Sequence, residues 1–291
     1  MDAPLLTIKE ALEKSADYLN KKNSLSPRLD AEVLLSHVLG LPRLQLYLQF
    51  DRPLSEEEKG HYRALLKRRA EHEPVAYITG KKEFMSLMFQ VTPAVLVPRP
   101  ETEILVEQGI RRIEEWQKTH EGRIPRVFEV GVGAGVIAVS LLHRFPELET
   151  TGSDISAEAL DVAEKNAEIH HVSERLHLIH GDLFAGNNGA FDFIISNPPY
   201  IAETERNSLS PDILCHEPHS SLFAGTEGLD MIERIIREGE KNISSDGWIL
   251  LEIGKGQSVK LLHKIEEGKK FRVVQSVEDY TGQVRVLCMM K

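Results

Sequence analysis

The chain has 291 residues, of which 41% are hydrophobic and 27% are charged, and its formal net charge is −10. This length is enough for two domains. The sequence has no bilayer-spanning apolar run and no signal-like basic N-terminus, and Cys215 and Cys288 form no disulfide or metal pattern. We therefore expect a cytoplasmic protein without a membrane partner or a metal. Residues 1–75 hold twelve basic and twelve acidic residues, so the negative excess lies after them and disfavours direct DNA binding.

The first part of the chain has the pattern of short amphipathic helices. Ser26-Pro27 reads as an N-cap followed by proline at the first helical position, and Gly40 lies just past the end of that helix. Another short helix is expected over residues 42–46, and Ser55 with the glutamates after it begins a further one. We predict a helical bundle over residues 1–74 that recognises a substrate or partner and contributes no catalytic residue.

The next segment, residues 75–98, changes to an alternating pattern. Residues 77–80 and 84–91 alternate enough to predict a two-stranded hairpin that links the bundle to a catalytic domain over residues 99–291. Three charged residues precede the first helix of that domain. Three roles are open for them: they could close over a cofactor, orient the linker or form a solvated turn. The three residues are Arg99, Glu101 and Glu103.

Strands and helices alternate regularly from residue 102 onward. The predicted strands are Arg126–Val130, Thr150–Ser153, Leu176–His180, Phe191–Ile195 and Trp248–Ile253. The helices between them are predicted to begin near Gly135, Ser156, Gly228 and Gly256. Such alternation is typical of a parallel sheet that is covered by helices.

The last two predicted strands, Phe271–Val277 and Val284–Met290, are joined by a short loop. The loop has no room for a crossover helix, so these strands must pair antiparallel. A parallel sheet that ends in an antiparallel hairpin is the seven-stranded, Rossmann-like arrangement of class I S-adenosylmethionine-dependent methyltransferases. We therefore predict an α/β catalytic domain of this class.

A glycine-rich loop follows the first strand of the predicted sheet. Glycine permits tight turns and lets the backbone approach a ligand closely. The third glycine comes one residue earlier than in Gly-x-Gly-x-x-Gly, and no phosphate-loop lysine follows, so a ligand without phosphates is favoured. The residues predicted to bind the cofactor in this loop are Gly131, Val132, Gly133, Ala134 and Gly135.

Acidic residues end the next two strands. Asp154 is placed to bind the two hydroxyls of a ribose, or it only caps the following helix, a role that Ser156 can fill instead. Asp182 can accept a hydrogen bond from an adenine amino group while Leu183 contacts the ring. An aspartate after glycine is otherwise more often a turn residue.

The segment Asn197-Pro198-Pro199-Tyr200 directly follows the apolar strand at 191–195. The asparagine carboxamide and the Pro198 carbonyl can accept hydrogen bonds from a flat NH2 group, and the prolines hold these acceptors in place. The tyrosine ring can stack on the same planar group. We predict catalytic roles for Asn197, Pro198 and Tyr200, substrate contacts for all four residues, and a cofactor contact for Asn197.

These motifs together resemble those of the protein-glutamine N5-methyltransferases that modify bacterial-type peptide-chain release factors. The likeness covers nearly the whole chain. The matching segments are residues 73–80, 96–103, 131–135, 181–184, 197–200, 217–218 and 228–230, with Asp154 and the closing Asp279, Gly282, Arg285 and Val286. Glu129 departs from the pattern, because the family usually has aspartate at the end of the first strand.

The resemblance implies methyl transfer from S-adenosylmethionine, which leaves S-adenosylhomocysteine, to the glutamine N5 of the Gly-Gly-Gln motif in a release factor. It implies that Asn197 Oδ1 and the Pro198 carbonyl accept the two amide N–H groups, while Tyr200 packs on the amide plane. No general base is needed before the methyl group moves. A monomer is expected.

Three other functions are compatible with parts of this pattern. Glutamine methylation of a ribosomal protein uses the same chemistry. Adenine-N6 methyltransferases of DNA or RNA also have Asn-Pro-Pro-Tyr, but they must neutralise phosphates, which the acidic catalytic part disfavours. A non-catalytic binder of an adenosyl ligand would not require the intact Asn-Pro-Pro-Tyr segment.

Overall fold

The computed structural model describes residues 6–187 and 189–291, so the first five residues of the predicted helical domain lie outside the described part. Two compact units form. Of the described residues, one unit contains residues 6–81 together with Ser210–His216, and the other contains Lys82–Leu209 with Glu217–Lys291. The return of residues 210–216 to the first unit is not foreseen by the predicted boundaries. Within the two described ranges, no helix is both long and apolar enough to cross a membrane.

The first unit is helical, as its sequence predicts. Its helices are α1 (Ile8–Lys21), α2 (Pro27–Leu39), α3 (Arg43–Leu48), α4 (Glu56–Ala70) and α5 (Val75–Thr79), joined by the later helix Pro211–His216. The predicted start of α4 is confirmed, because Ser55 and Glu58 cap it reciprocally at 3.1 Å and 2.8 Å. Buried aliphatic side chains, including Leu12 and Leu34, form the core of the unit.

The predicted strand at residues 77–80 is wrong, because this segment belongs to the helical turn α5. Pro74 occupies the N-cap position, and its carbonyl accepts from the amides of Tyr77 and Ile78 at 3.0 Å each. Ile78 is only 6% exposed and joins the core of the helical unit. Burial of these side chains overrides the strand preference of a run with aromatic and β-branched residues.

The hairpin instead comprises β1 (Lys81–Phe84) and β2 (Leu87–Gln90). Its two turn residues, Met85 and Ser86, have φ values of 50° and 62°, which the tight hairpin turn requires and which side chains disfavour. Carboxylates compensate, because Glu103 accepts from the Met85 amide and Glu83 from the Ser86 amide, both at 2.7 Å.

The second unit alternates strands and helices around one sheet. Its helices are α6 (Pro100–Thr119), α7 (Val136–Arg144), α8 (Ala157–Ile169), α10 (Asp230–Asn242) and α11 (Ser258–Gly268), and α9 is the helix Pro211–His216 of the first unit. Its strands are β3 (Arg126–Val130), β4 (Glu149–Asp154), β5 (Leu176–His180), β6 (Phe191–Ser196), β7 (Ile243–Glu252), β8 (Val273–Glu278) and β9 (Val284–Met290). Short 3-10 helices lie at Ser173–Arg175, Glu203–Ser208 and His219–Ser221.

The seven-stranded sheet has the order β5-β4-β3-β6-β7-β9-β8, with β9 antiparallel to both of its neighbours. The predicted α/β architecture is therefore confirmed. Strand order reverses between β3 and β6, and Ser196 ties these strands together by donating to the Val130 carbonyl at 2.7 Å. In such sheets the crevice beyond the carboxyl ends of the strands at the reversal is where ligands bind.

Several predicted boundaries need correction. Strand β7 begins at Ile243 instead of Trp248, and β8 begins at Val273 instead of Phe271. Helix α6 already begins at Pro100, so Glu101 and Glu103 lie in its first turn and not before it. Acidic side chains are favoured there because they complement the positive end of the helix dipole.

Candidate active site

A cavity lies at the carboxyl ends of β3 and β6, where the strand order reverses. Most residues that the sequence predicts for the site line it together. They are Gly131, Val132, Gly133, Ala134, Asp154, Asp182, Leu183, Asn197, Pro198 and Pro199. Gly135 and Tyr200 occupy supporting positions next to this lining.

The glycine loop turns from β3 into α7 with left-handed backbone at Gly133 (φ 54°) and Gly135 (φ 77°). At Gly133 an added Cβ would meet no atom within 4 Å, so the missing side chain leaves open space. At Gly135 an added Cβ would lie 3.2 Å from the Ala163 Cβ, because this glycine packs against α8. Gly135 therefore sets the spacing between helix and loop.

Glu129 begins this turn from a buried position beneath the loop. Its side chain is 1% exposed, and its Oε2 accepts from the Ala138 amide in the first turn of α7 at 2.9 Å. Burial raises the pKa of Glu129 well above its usual range. The longer arm of glutamate, where the family usually has aspartate, thus reaches the helix and caps its N-terminus.

Asp154 fastens the glycine loop to the end of β4. Its Oδ2 accepts from the Gly133 amide at 2.9 Å, and its Oδ1 accepts from the Ser156 amide at 3.0 Å. The cap of α8 is instead Ser156, whose hydroxyl accepts from the Ala159 amide at 3.1 Å. A capping role therefore does not account for Asp154, and its carboxylate borders the cavity.

Asp182 follows β5 and is held by a residue that the sequence did not suggest. Arg234 on α10 pairs with Asp182 Oδ2 at 2.6 Å, and this hydrogen bond raises the pKa of Arg234. The neighbouring Leu183 is 4% exposed, and its carbonyl accepts from the Ser153 hydroxyl. An acidic acceptor and an apolar surface thus lie side by side at the cavity.

The Asn-Pro-Pro-Tyr segment leaves β6, in which every residue is buried. Asn197 donates from Nδ2 to Thr102 Oγ1 at 3.0 Å, so the amide presents Oδ1 on its opposite edge. Tyr200 packs against the main apolar cluster, and its hydroxyl donates to Glu252 Oε1 at 3.1 Å. Burial raises the pKa of this hydroxyl.

Thr102 and Glu252 are site residues that sequence reasoning missed. Thr102 is 2% exposed and donates to Glu252 Oε2 at 2.7 Å, while Glu252 at the end of β7 is 0% exposed. Burial raises the pKa of Glu252 to about 7. The signal was present in the sequence, because Glu252 is an acid within an apolar strand and Thr102 belongs to the matched segment 96–103.

Arg99 is fixed at the cavity by the loop that follows the Asn-Pro-Pro-Tyr segment. Its guanidinium pairs with Glu217 Oε1 at 2.5 Å, and Glu217 Oε2 accepts from the Val97 amide at 3.3 Å. Glu217 is only 5% exposed. Arg99 thus takes part in an ordered ion pair beside the cavity, and the interpretation as a solvated turn is wrong for this residue.

The strand order, the antiparallel edge and the position of the cavity define a class I methyltransferase fold. The N-terminal domain of human METTL16, solved in complex with SAH, shares this fold with a TM-score of 0.51 and 17% identity, covering 94% of this chain and 93% of that one. Family models agree, because residues 10–80 match the PrmC N-terminal domain and residues 113–225 match the methyltransferase small domain.

Relatives along the whole chain narrow this class to one family. A release factor glutamine methyltransferase of Rhodopirellula baltica is 36% identical over 98% of this chain and 96% of its own length. A release factor glutamine methyltransferase of Geobacter sulfurreducens is 39% identical over 88% of this chain and 87% of its own length. The chain belongs to the family of release factor glutamine methyltransferases, which confirms the resemblance found from its motifs.

Proposed function

We propose that this protein transfers a methyl group from S-adenosylmethionine to the side-chain nitrogen N5 of a glutamine in peptide-chain release factors, within the Gly-Gly-Gln motif. The observation that carries the proposal is the orientation of Asn197. Because its NH2 group donates to Thr102, the amide offers Oδ1 as an acceptor. An acceptor at this position suits a substrate that presents a flat NH2 group.

The cavity fits the cofactor through the chemistry of its lining. Asp154 offers a carboxylate to vicinal hydroxyls beside the open space at Gly133. Asp182 offers an acceptor to an exocyclic amine, and Leu183 offers an apolar surface to a flat ring. When bound, S-adenosylmethionine supplies an electrophilic methyl group, which is the difficult part of the chemistry.

The protein's own residues must position the glutamine nitrogen. Asn197 Oδ1 and the Pro198 carbonyl accept the two N–H bonds of the substrate amide, which directs the nitrogen lone pair away from them. Pro198 and Pro199 have a fixed φ, so these acceptors are held before the substrate arrives. Such orientation contributes about 7–11 kcal/mol to group-transfer reactions. The amide proton becomes acidic only after transfer and then passes to water, so this scheme assigns no residue as a general base.

The helical unit is proposed to dock the release factor. A single glutamine side chain offers too little surface to select one protein among many, so a second contact area is expected. Helix α3 exposes Leu44 and Leu48, each 70% accessible, and exposed apolar groups of this kind favour protein contacts.

The test is a methyl-transfer assay with purified release factor and mass-spectrometric location of the methyl group. We expect one methyl group on the glutamine of the Gly-Gly-Gln motif, and none on a release factor in which that glutamine is replaced by glutamate. Ribosomal protein and single-stranded nucleic acid serve as competing substrates. Preferential methylation of either would refute the proposed substrate.

A further inference from the structure

The two ends of the Asn197 side-chain amide differ chemically, and only one arrangement suits a glutamine substrate. In the structure the NH2 end donates to Thr102 Oγ1 at 3.0 Å. If the amide turned over, its NH2 end would meet the NH2 group of the substrate, so that two donors would face each other. The catalytic site therefore needs a device that fixes this orientation.

The Thr102 hydroxyl has the properties of such a device because it carries a single proton. That proton is directed to Glu252 Oε2 at 2.7 Å, which leaves only lone pairs to face Asn197. Tyr200 also directs its single hydroxyl proton to the same carboxylate, at Oε1 and 3.1 Å. The hydrogen bonds thus run in one direction, from Asn197 through Thr102 to Glu252.

We propose that Thr102 and Glu252 are positioning residues that hold Asn197 with Oδ1 toward the substrate amide. The inference rests on the proposed glutamine methylation and assigns to it two residues that act through Asn197. Glu252 accepts hydrogen bonds from both hydroxyls. Thr102 therefore faces Asn197 with its lone pairs and accepts a hydrogen bond from the asparagine NH2 group. The backbone at the site is fixed independently by Pro198 and Pro199.

The surroundings of Glu252 add a dependence on pH. Its side chain is 0% exposed, and burial raises its pKa to about 7, against the hydrogen bonds from Thr102 and Tyr200. Two further charged groups act on it, since Glu101 raises its pKa and Arg285 lowers it. A protonated Glu252 has a donor of its own, so the hydrogen bonds around it lose their single direction.

The test compares wild-type protein with Thr102→Val, which keeps the side-chain shape and removes the hydroxyl, and with Thr102→Ser, which keeps the hydroxyl. For methylation of the release factor we expect Thr102→Val to lower kcat by about ten- to a hundredfold, the scale of a misplaced reacting group. The Kd for S-adenosylmethionine, measured by calorimetry, stays within about threefold. Thr102→Ser restores most of the wild-type kcat.

Two readouts separate positioning from a merely structural role. Wild-type kcat falls as the pH is lowered through about 7, following Glu252, whereas Thr102→Val loses this dependence because its hydrogen-bond chain is already broken. In nitrogen-15 spectra the side-chain NH2 protons of Asn197, assigned with Asn197→Asp, exchange slowly with water in wild type. They exchange faster in Thr102→Val.

Unchanged kcat and NH2 exchange in Thr102→Val would overturn the inference, as would a Thr102→Ser variant as impaired as Thr102→Val. The proposed function fails in a different way. If the wild-type protein left glutamine unmethylated, that substrate would be refuted, while NH2 exchange in the two Thr102 variants would still show whether Thr102 holds Asn197.

Discussion

Two buried carboxylates, Glu32 in the helical unit and Glu252 in the catalytic unit, are accommodated in different ways. In the helical unit Glu32 is 2% exposed and accepts from Arg28 at 2.7 Å and Arg43 at 2.8 Å. Burial by itself would raise the pKa of Glu32, but the hydrogen bonds from Tyr47, Arg43 and Arg28 outweigh burial, so the pKa is lowered. In the catalytic unit Glu252 is buried and accepts from the hydroxyls of Thr102 and Tyr200, and burial raises its pKa to about 7.

This difference separates charges that stabilise a fold from charges that serve a site. A buried ion pair with full partners holds two elements in register, and it is costly only when one partner is removed. A buried carboxylate that accepts from hydroxyls instead of cations is costly as it stands, and Glu252 contacts Thr102, which lines the cavity, so a functional purpose is indicated. Mutations at these two kinds of site should therefore have different consequences.

The largest effect is expected from Asn197→Ala, which removes the proposed acceptor for the substrate amide. We expect methyl transfer to fall by at least about a thousandfold, because orientation contributes several kcal/mol to such reactions. The Kd for S-adenosylmethionine should stay within about tenfold, or roughly 1.4 kcal/mol, in calorimetric titration. Complete loss of cofactor affinity would instead assign Asn197 to the cofactor.

Removal of Arg69 tests the buried ion pairs of the helical unit. Arg69 is 5% exposed and pairs with Asp30 at 2.7 Å and Asp212 at 2.8 Å. Arg69→Met removes the buried guanidinium that both carboxylates share, so we expect a loss of about 3–5 kcal/mol in the free energy of unfolding. The control Arg111→Met removes an exposed ion pair and should cost less than about 1 kcal/mol. Similar losses of stability in both variants would contradict the expected difference between a buried and an exposed ion pair.

Glu252→Gln tests the buried carboxylate that accepts from hydroxyls, through the dependence of stability on pH. Since the folded-state pKa of about 7 lies above the ordinary value of 4.5, the stability linked to this group is present below pH 4.5 and is lost as the pH rises through 7. Glutamine does not titrate. Relative to wild type, the variant should gain on the order of 3 kcal/mol between pH 5 and pH 8 in denaturant unfolding. A parallel response of both proteins to pH would contradict this.

Asp154→Ala tests the carboxylate that joins the glycine loop to the cavity. We expect cofactor binding to weaken by about 1.5–3 kcal/mol, the range for hydrogen bonds to a charged group. The matched control is Ser156→Ala, which removes the cap of α8 and should cost about 1 kcal/mol of stability with unchanged cofactor affinity. If Asp154→Ala lowered only the melting temperature, Asp154 would have no role in binding ribose.

The smallest effect concerns docking by the helical unit. Replacement of the exposed Leu44 and Leu48 by serine should raise the KM for intact release factor by about tenfold, or 1.4 kcal/mol. The KM for a short Gly-Gly-Gln peptide should not change. Val259→Ser, at a similarly exposed apolar residue of the catalytic unit, serves as the control. Equal losses on protein and peptide would show that α3 does not dock the substrate.

Local signals in the sequence determined much of this protein. The capping pair at Ser55 and Glu58 and the short final loop each depend on residues close in the chain, so helix starts and the antiparallel edge could be predicted. The loop at 131–135, Asp154 and the Asn-Pro-Pro-Tyr segment follow strands of a parallel sheet. Because the carboxyl ends of such strands meet at one edge, their convergence on one cavity could also be predicted.

Only the tertiary structure decided which partners those residues have. Thr102 and Asn197 are 95 residues apart, and Thr102 and Glu252 are 150 apart, so no local pattern relates them. Residues 75–79 became a helix because Ile78 is buried in the core of the helical unit, a contact that local propensity does not encode. Burial likewise set the pKa of Glu252, since desolvation depends on everything that surrounds the carboxylate.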